Sequence, residues 1–293
     1  MAAYNGGEYL LEQLESIYHQ YEVELDIYIS LDSSNDNSEE IIRNFAKGRN
    51  IKLLNSQIVF GSAGKNFLHL ISVVDFSGYD FIAFADQDDI WEPVKLLEAV
   101  KLMSLYSADG YSSNVTAIWE NGDEKLIKKS DPQTKFDFLF ESAGPGCTFV
   151  MTYKLSTSIQ SFLRKNSSDA SGIWLHDWFC YAFARVNDFK WIIDNNSYML
   201  YRQHTNNSVG ANSGIRSFIK RINSVMSGDA FEKVISQARI LAVDNLKPIV
   251  LLKNNSFKDS LELLMLSNQC RRAKRDKVFF FLAILLSAFR RGN

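Results

Sequence analysis

Phe81-Ile82-Ala83-Phe84-Ala85-Asp86-Gln87-Asp88-Asp89 decides the fold. Its first five residues carry no polar side chain, the pattern of a strand covered on both faces. The strand then runs straight into three carboxylates. In open α/β sheets, ligands sit at the carboxyl ends of the strands. Three acids so close repel one another unless a cation or strong donors neutralise them. A hard divalent ion sharing carboxylate and diphosphate oxygens meets that need, and Mg²⁺ commonly uses one or two carboxylates plus substrate phosphates. A plainer reading is a solvated acidic turn in which Asp89 caps the helix that Pro93 opens, running to about Ser107. Asp89 can serve both ends.

Working outward, strand-like and helix-like segments alternate. A helix over Tyr9–Tyr21 places Leu10, Leu11, Leu14, Ile17, Tyr18 and Tyr21 on its inner side. Leu25–Leu31 is β-rich, Ser38–Lys47 reads as a helix capped by Ser38, Ile51–Leu54 is a short strand, and Asn66–Val74 is a helix. This alternation predicts an α/β architecture with a mainly parallel central sheet flanked by helices. Such a sheet calls for a full buried strand before Tyr4-Asn5-Gly6-Gly7, where only three residues stand, so the first strand reads as truncated. Beyond about Gly110 the pattern loosens. Cys147–Thr152 and Met199–His204 read as strands and His176–Val186 as an aromatic helix. From Ile215 onward the signal is helical. The division expected is a catalytic domain over residues 1–210 and a helical region over residues 211–293.

Hydrophobic residues make up 46% of the 293, enough for a full core, and the formal charge of −2 offers no global grip on nucleic acid. Cys147, Cys180 and Cys270 show neither metal-ligand spacing nor a disulfide framework. The N-terminus turns polar at once, so no cleavable signal peptide is read and a cytosolic location is expected. Val278–Phe289 is apolar apart from Ser287, but a spanning helix needs about 20 such residues. Arg271, Arg272, Lys274, Arg275 and Lys277 precede it and Arg290 and Arg291 follow it. That pattern suits an interfacial helix at the inner face of the cell membrane. A helix buried on the catalytic domain is the other reading.

Further candidates follow strands or open helices. Ser30-Leu31-Asp32-Ser33-Ser34-Asn35-Asp36-Asn37-Ser38 supplies a carboxylate that can accept hydrogen bonds from a ribose or base, while Asp36 and Ser38 read as loop and cap. Lys65, in a Gly-flanked loop, and Arg202 can meet phosphate charge; Lys65 can equally be a solvated loop residue. His204, in a polar loop after a strand, is the best ligand among the four histidines; His19 and His69 read as structural or surface. Asp177 opens a helix rich in aromatics. Trp178 beside it can wall a sugar ring or pack in the core, as aromatics at helical spacing usually do.

Taken in order, Ala3-Tyr4-Asn5-Gly6, Ser30 through Asp36, Gly61-Ser62-Ala63-Gly64-Lys65-Asn66-Phe67 and Asp86-Gln87-Asp88-Asp89-Ile90-Trp91 resemble family 2 glycosyltransferases of the GT-A nucleotide-diphospho-sugar transferase fold. Gly144-Pro145-Gly146-Cys147, Leu175-His176-Asp177-Trp178 and Tyr201-Arg202-Gln203-His204-Thr205-Asn206-Asn207 resemble their rhamnosyltransferase-like branch. The resemblance implies that Asp32 holds the nucleotide base near Tyr4. It implies that Asp86 faces the ribose side of a nucleotide-diphosphate sugar donor, that Asp88 binds Mg²⁺ or Mn²⁺ with His204 as a further contact, and that Asp177 is the catalytic base. It further implies an inverting hexosyltransferase with a rhamnosyl or similar donor and a saccharide or lipid-linked saccharide acceptor, working in surface-polysaccharide assembly. The family's Asp-Asp-Gly-Ser run reads Leu31-Asp32-Ser33-Ser34 here, one acid and one glycine short, which points to altered base recognition. Two other readings use the same sheet and acids. A nucleotidyltransferase would want a basic clamp on a triphosphate, and Lys and Arg are sparse near the acidic loops. An inactive nucleotide-sugar-binding protein is the second.

Overall fold

A computed structural model of the chain describes residues 1–167, 172–204, 228–254 and 256–289. The N-terminal half winds strand and helix alternately: β1 (Ala2–Ala3), α1 (Leu10–Tyr18), β2 (Ile27–Asp32), α2 (Ser38–Phe45), β3 (Ile51–Ile58) and α3 (Ala63–Val73). β1, β2 and β3 form a parallel sheet in that order. The first strand is thus present in short form, with Ala2 and Ala3 opposite Ser30 and Leu31. Leu10, Leu14 and Ile17 of α1 and Ile42 and Phe45 of α2 are buried with Ile27, Ile29 and Leu31 of β2. Full burial of each such side chain contributes about 1.5–3 kcal/mol.

A second, six-stranded sheet carries β4 (Phe81–Ala83), β5 (Ile90–Trp91), β6 (Gly110–Trp119), β7 (Glu124–Ile127), β8 (Val150–Thr152) and β9 (Trp191–Gln203). Its order is β4-β8-β6-β9-β5, with β7 on β6. Only β6 and β9 run parallel there; β4, β5, β7 and β8 each pair antiparallel. The parallel part of this α/β fold therefore lies in β1–β3 and the β6–β9 pair. Around the sheet stand α4 (Lys95–Tyr106), α5 (Tyr153–Lys165) and α6 (His176–Val186).

The C-terminal helices are α7 (Asp229–Ile240), α8 (Lys247–Asn254), α9 (Phe257–Met265), α10 (Ser267–Cys270) and α11 (Lys274–Phe289). Val234, Ala238, Ile249, Leu263, Cys270, Phe280 and Ile284 join one core cluster with Phe67, Phe149 and Phe179. The boundary expected at residue 210 lies outside the described residues, as do Thr205, Asn206, Asn207, Arg290 and Arg291. Among the described residues no helix is long and apolar enough to cross a membrane.

Two cap expectations are corrected. Ser38 is the first residue of α2 and its buried hydroxyl accepts from Gly6 N at 2.9 Å. Asp89 caps nothing, since both its carboxylate oxygens are buried without a hydrogen-bond partner.

Candidate active site

Strand register assembles the site. β4 pairs antiparallel with β8, Ala83 opposite Val150, so the chain beyond Ala83 runs alongside the segment before Val150 and brings Asp86 to Cys147. β5 pairs antiparallel with β9, Ile90 opposite Leu200, so the chain before Ile90 runs beside the residues after Leu200. There Arg202 Nε donates to Asp88 O at 3.1 Å, and His204 Nε2 lies 2.8 Å from Asp88 Oδ2. The acid loop is thus held between the ends of two strands far apart in the chain.

Gln13 and Gln87 fix the loop's direction. The fully buried Gln13 donates from Nε2 to Asp86 O at 2.9 Å. Gln87 accepts from Tyr4 N at 2.7 Å and donates to Tyr4 O at 2.9 Å, tying the N-terminal loop to the acids and leaving the Tyr4 ring exposed. No side chain fits at Gly6, where a Cβ would run into the Gln87 amide. The Gln87 link lies inside the stretch that decides the fold, but side-chain-to-backbone pairing leaves no periodic mark in a sequence.

Asp32 is 5% exposed, and its carboxylate accepts from Ser33 N at 2.8 Å and from Phe60 N and Gly61 N at 3.1 Å each. These bonds dock the end of β3 on the end of β2 and take up most of the carboxylate's acceptor capacity. Arg202 pairs with Glu12 at 2.6 Å and lies over the Tyr9 ring, which stacks on His204. Lys65 is exposed in the first turn of α3, next to Gly64, where a Cβ would lie 3.2 Å from Trp174 O.

The electrostatics separate the acids. Burial, then the charges of Asp88 and Asp177, push Asp86 up to about 7. Asp177 is pushed up to about 6 by burial, against a hydrogen bond from Trp178 N at 2.6 Å and the pull of the nearby Ser142 hydroxyl. Asp86 therefore feels Asp177, and the acid loop and the start of α6 share one electrostatic site. His176, stacked on Phe67 with ring centroids 4.0 Å apart, is lowered to about 3 by burial and is a neutral ring. The Pro145-Gly146 turn presses on this pair: a Cβ at Gly146 would lie 2.5 Å from His176 Nε2 and 3.3 Å from Asp177 Cβ.

Behind the acids lies a sealed polar layer. Ligand atoms of Asp86, Asp89 and Cys147 fall within 4.8 Å of one another. The Lys95 ammonium sits 3.4 Å from the Trp91 ring centroid and is lowered to about 7 by burial. Burial and the neighbouring acids push the Cys147 thiol well up, and a soft sulfur ligand suits Mg²⁺ or Mn²⁺ less than oxygen does. Asp88 and His204 offer a better donor set. A carboxylate oxygen and an imidazole nitrogen face each other beside a second acid, with side chains 15% and 9% exposed. This suits a divalent cation such as Mn²⁺ or Mg²⁺.

Trp178 requires correction. It is 6% exposed and donates from Nε1 to Phe138 O at 2.8 Å. Every residue from Trp178 to Ala184 is buried, so this ring is core and not the wall of an open pocket. Trp174, just before α6, is 50% exposed and carries the Lys233 ammonium 3.8 Å from its ring centroid.

The glycosyl transferase family 2 model matches residues 1–161. Over 291 residues the chain is 40% identical to the dTDP-rhamnosyl transferase RfbG of Shigella flexneri, covering 99% of this chain and all of that one. Over 152 residues it is 27% identical to an Escherichia coli enzyme, the UDP-Glc:alpha-D-GlcNAc-diphosphoundecaprenol beta-1,3-glucosyltransferase WfgD, covering 52% of this chain and 57% of that one. Among solved structures, TarS of S. aureus (residues 1–349, in complex with UDP) superposes with a TM-score of 0.54 at 16% identity, over all of this chain and 90% of that one.

Proposed function

This chain belongs to glycosyl transferase family 2 and has the GT-A fold, and from that premise we propose that it is an inverting, metal-dependent rhamnosyltransferase acting on a dTDP-linked donor. The likeness to the Shigella transferase along the whole chain supports the donor. One observation carries the chemistry: Asp86, the Asp88–His204 pair and Asp177 share one site, with Asp177 poised near 6.

In this reading Tyr4 and Asp32 receive the nucleotide, Asp86 the ribose side, and Lys65 and Arg202 the phosphate charge. The acceptor hydroxyl attacks the anomeric carbon from the face opposite the diphosphate. Asp177 takes the hydroxyl proton as the new C–O bond forms and the bond to the diphosphate oxygen breaks, so the configuration inverts. Asp88 and His204 would hold a Mn²⁺ or Mg²⁺, which would supply Lewis-acid stabilisation of the charge on the leaving diphosphate. Asp177 must be ionised for this, and its raised value keeps it basic enough to accept a proton near neutral pH.

The acceptor we propose is a saccharide on a lipid carrier, met at the membrane face. α11 docks through Phe280 and Ile284 and turns Val278, Phe281, Leu282 and Leu286 outward, next to exposed Lys274 and Arg275. An apolar stripe that begins in cations suits anionic lipid. Residues 1–210 then hold the chemistry, and the helices after them complete the core and face the bilayer.

Incubating the full-length chain and Mn²⁺ with dTDP-, UDP- and GDP-sugars tests the reading. We expect dTDP from dTDP-rhamnose, and its loss in Asp88→Ala. Pyrophosphate release would indicate nucleotidyl transfer, and binding without turnover an inactive nucleotide-sugar-binding protein.

A further inference from the structure

Arg272 stands between α10 and α11, only 5% exposed. Its Nη1 donates to Asp137 Oδ2 at 3.1 Å and its Nη2 to Ser142 O at 2.7 Å, while its backbone N donates to Glu141 at 2.7 Å. Asp137 is fully buried and also accepts from Tyr181 OH at 2.7 Å and Arg185 Nη1 at 2.8 Å. Both partners lie on α6, the helix that Asp177 opens. The Ser142 hydroxyl donates to Gly144 O at 3.0 Å and stands near enough to the Asp177 carboxylate to favour its ionised form. A single guanidinium therefore holds two segments beside Asp177: the backbone of Ser142 and, through Asp137 and Tyr181, the helix α6.

A buried Arg with two carbonyl-type partners is a rigid fork, since its planar donors fix the partners' separation. A catalytic carboxylate works only when held close to its productive position. We infer that Arg272 and Ser142 are positioning residues for Asp177, so that the C-terminal helices set the geometry of the base. The inference rests on the base assignment proposed above. The other groups facing Asp177 are the Asp86 carboxylate, the Lys129 ammonium, the Cys180 thiol and the neutral His176 ring, and none of them lies on the C-terminal helices.

The test uses the full-length chain and the variants Arg272→Met, Arg272→Lys and Ser142→Ala, with Asp177→Asn as control. The readouts are Mn²⁺-dependent dTDP release from dTDP-rhamnose, dTDP affinity by calorimetry, and the Asp177 carboxyl titration by carbon NMR. That resonance is assigned by its disappearance in Asp177→Asn. Arg272→Met lowers kcat on the order of 10²-fold, the scale of a displaced catalytic group, with dTDP affinity unchanged, and Arg272→Lys recovers part of the loss. Ser142→Ala lowers kcat less and moves the Asp177 titration to higher pH, because a donor to the ionised form is gone. Wild-type kcat in both Ser142→Ala and Arg272→Met, or an unmoved titration in Ser142→Ala, overturns the inference even when Asp177→Asn is inactive. Full turnover by Asp177→Asn would instead remove the base assignment. Should Arg272→Met fail to fold, Arg272→Lys, which keeps the buried charge and loses the fork, decides for Arg272, its wild-type kcat overturning that half, while Ser142→Ala decides for Ser142.

Discussion

Asp177 has to lose its own proton before it can accept another. Burial raises its value to about 6, so it is ionised above that pH and protonated below it. Turnover therefore falls as pH drops through about 6. Asp86, raised to about 7, is uncharged below that pH, and its carboxylate adds to the negative field around a cation at the neighbouring Asp88 only once ionised, so Mn²⁺ affinity climbs as pH rises toward 8. A pH–kcat profile and calorimetry across pH 5 to 8 check both signs, and an acid limb absent from the wild type would count against Asp177. Asp177→Asn retains dTDP binding and loses transfer, measured as dTDP release beside calorimetric affinity. The places of Asp86 and Asp88 after a strand, of Asp177 in the first turn of a helix and of His204 after a strand were legible in the sequence, because apolar runs and helical periods mark where elements end. Gln13 and Arg272 were not, since each acts through a partner remote in sequence.

At the scale of elements, the α6 range His176–Val186 was read correctly, because a helix with an aromatic run shows plainly. β6 went unread. Its middle is Ser112-Ser113-Asn114, buried polar residues that break any apolar run. Asn114 is satisfied inside the protein by Asn195 O and by the amides of Lys129 and Ser130, so strand pairing overrode the local signal. Trp178 was misplaced for a related reason. Helical spacing shows which residues share a face, but not what covers that face. The Pro145-Gly146 turn offers a sharp test. In Gly146→Ala the new methyl enters the space of His176 and the Asp177 stem, and overpacking of this kind costs about 1–3 kcal/mol. Thermal melting should show that loss and dTDP release should fall with it. Unchanged melting and turnover would mean that the turn does not brace the base.

For the molecule as a whole, the α/β pattern was visible in sequence, whereas the joining of its two ends was not. Vesicle flotation tests the outward stripe of α11. The full chain should float with anionic vesicles, and Phe281→Glu with Leu282→Glu should stay behind while still releasing dTDP. Equal flotation of the two proteins would assign the stripe another partner. The joining of the ends has a practical corollary. Gln269 O accepts from Phe136 N at 2.8 Å and from Thr134 Oγ1 at 2.7 Å, one residue pair away from the Arg272 fork. Chimeras that trade donor or acceptor preference between relatives will be viable only when residues 134–144 and 269–272 come from the same parent. A crossover placed at residue 210 would separate these two stretches and pair one parent's Asp137 with the other parent's Arg272.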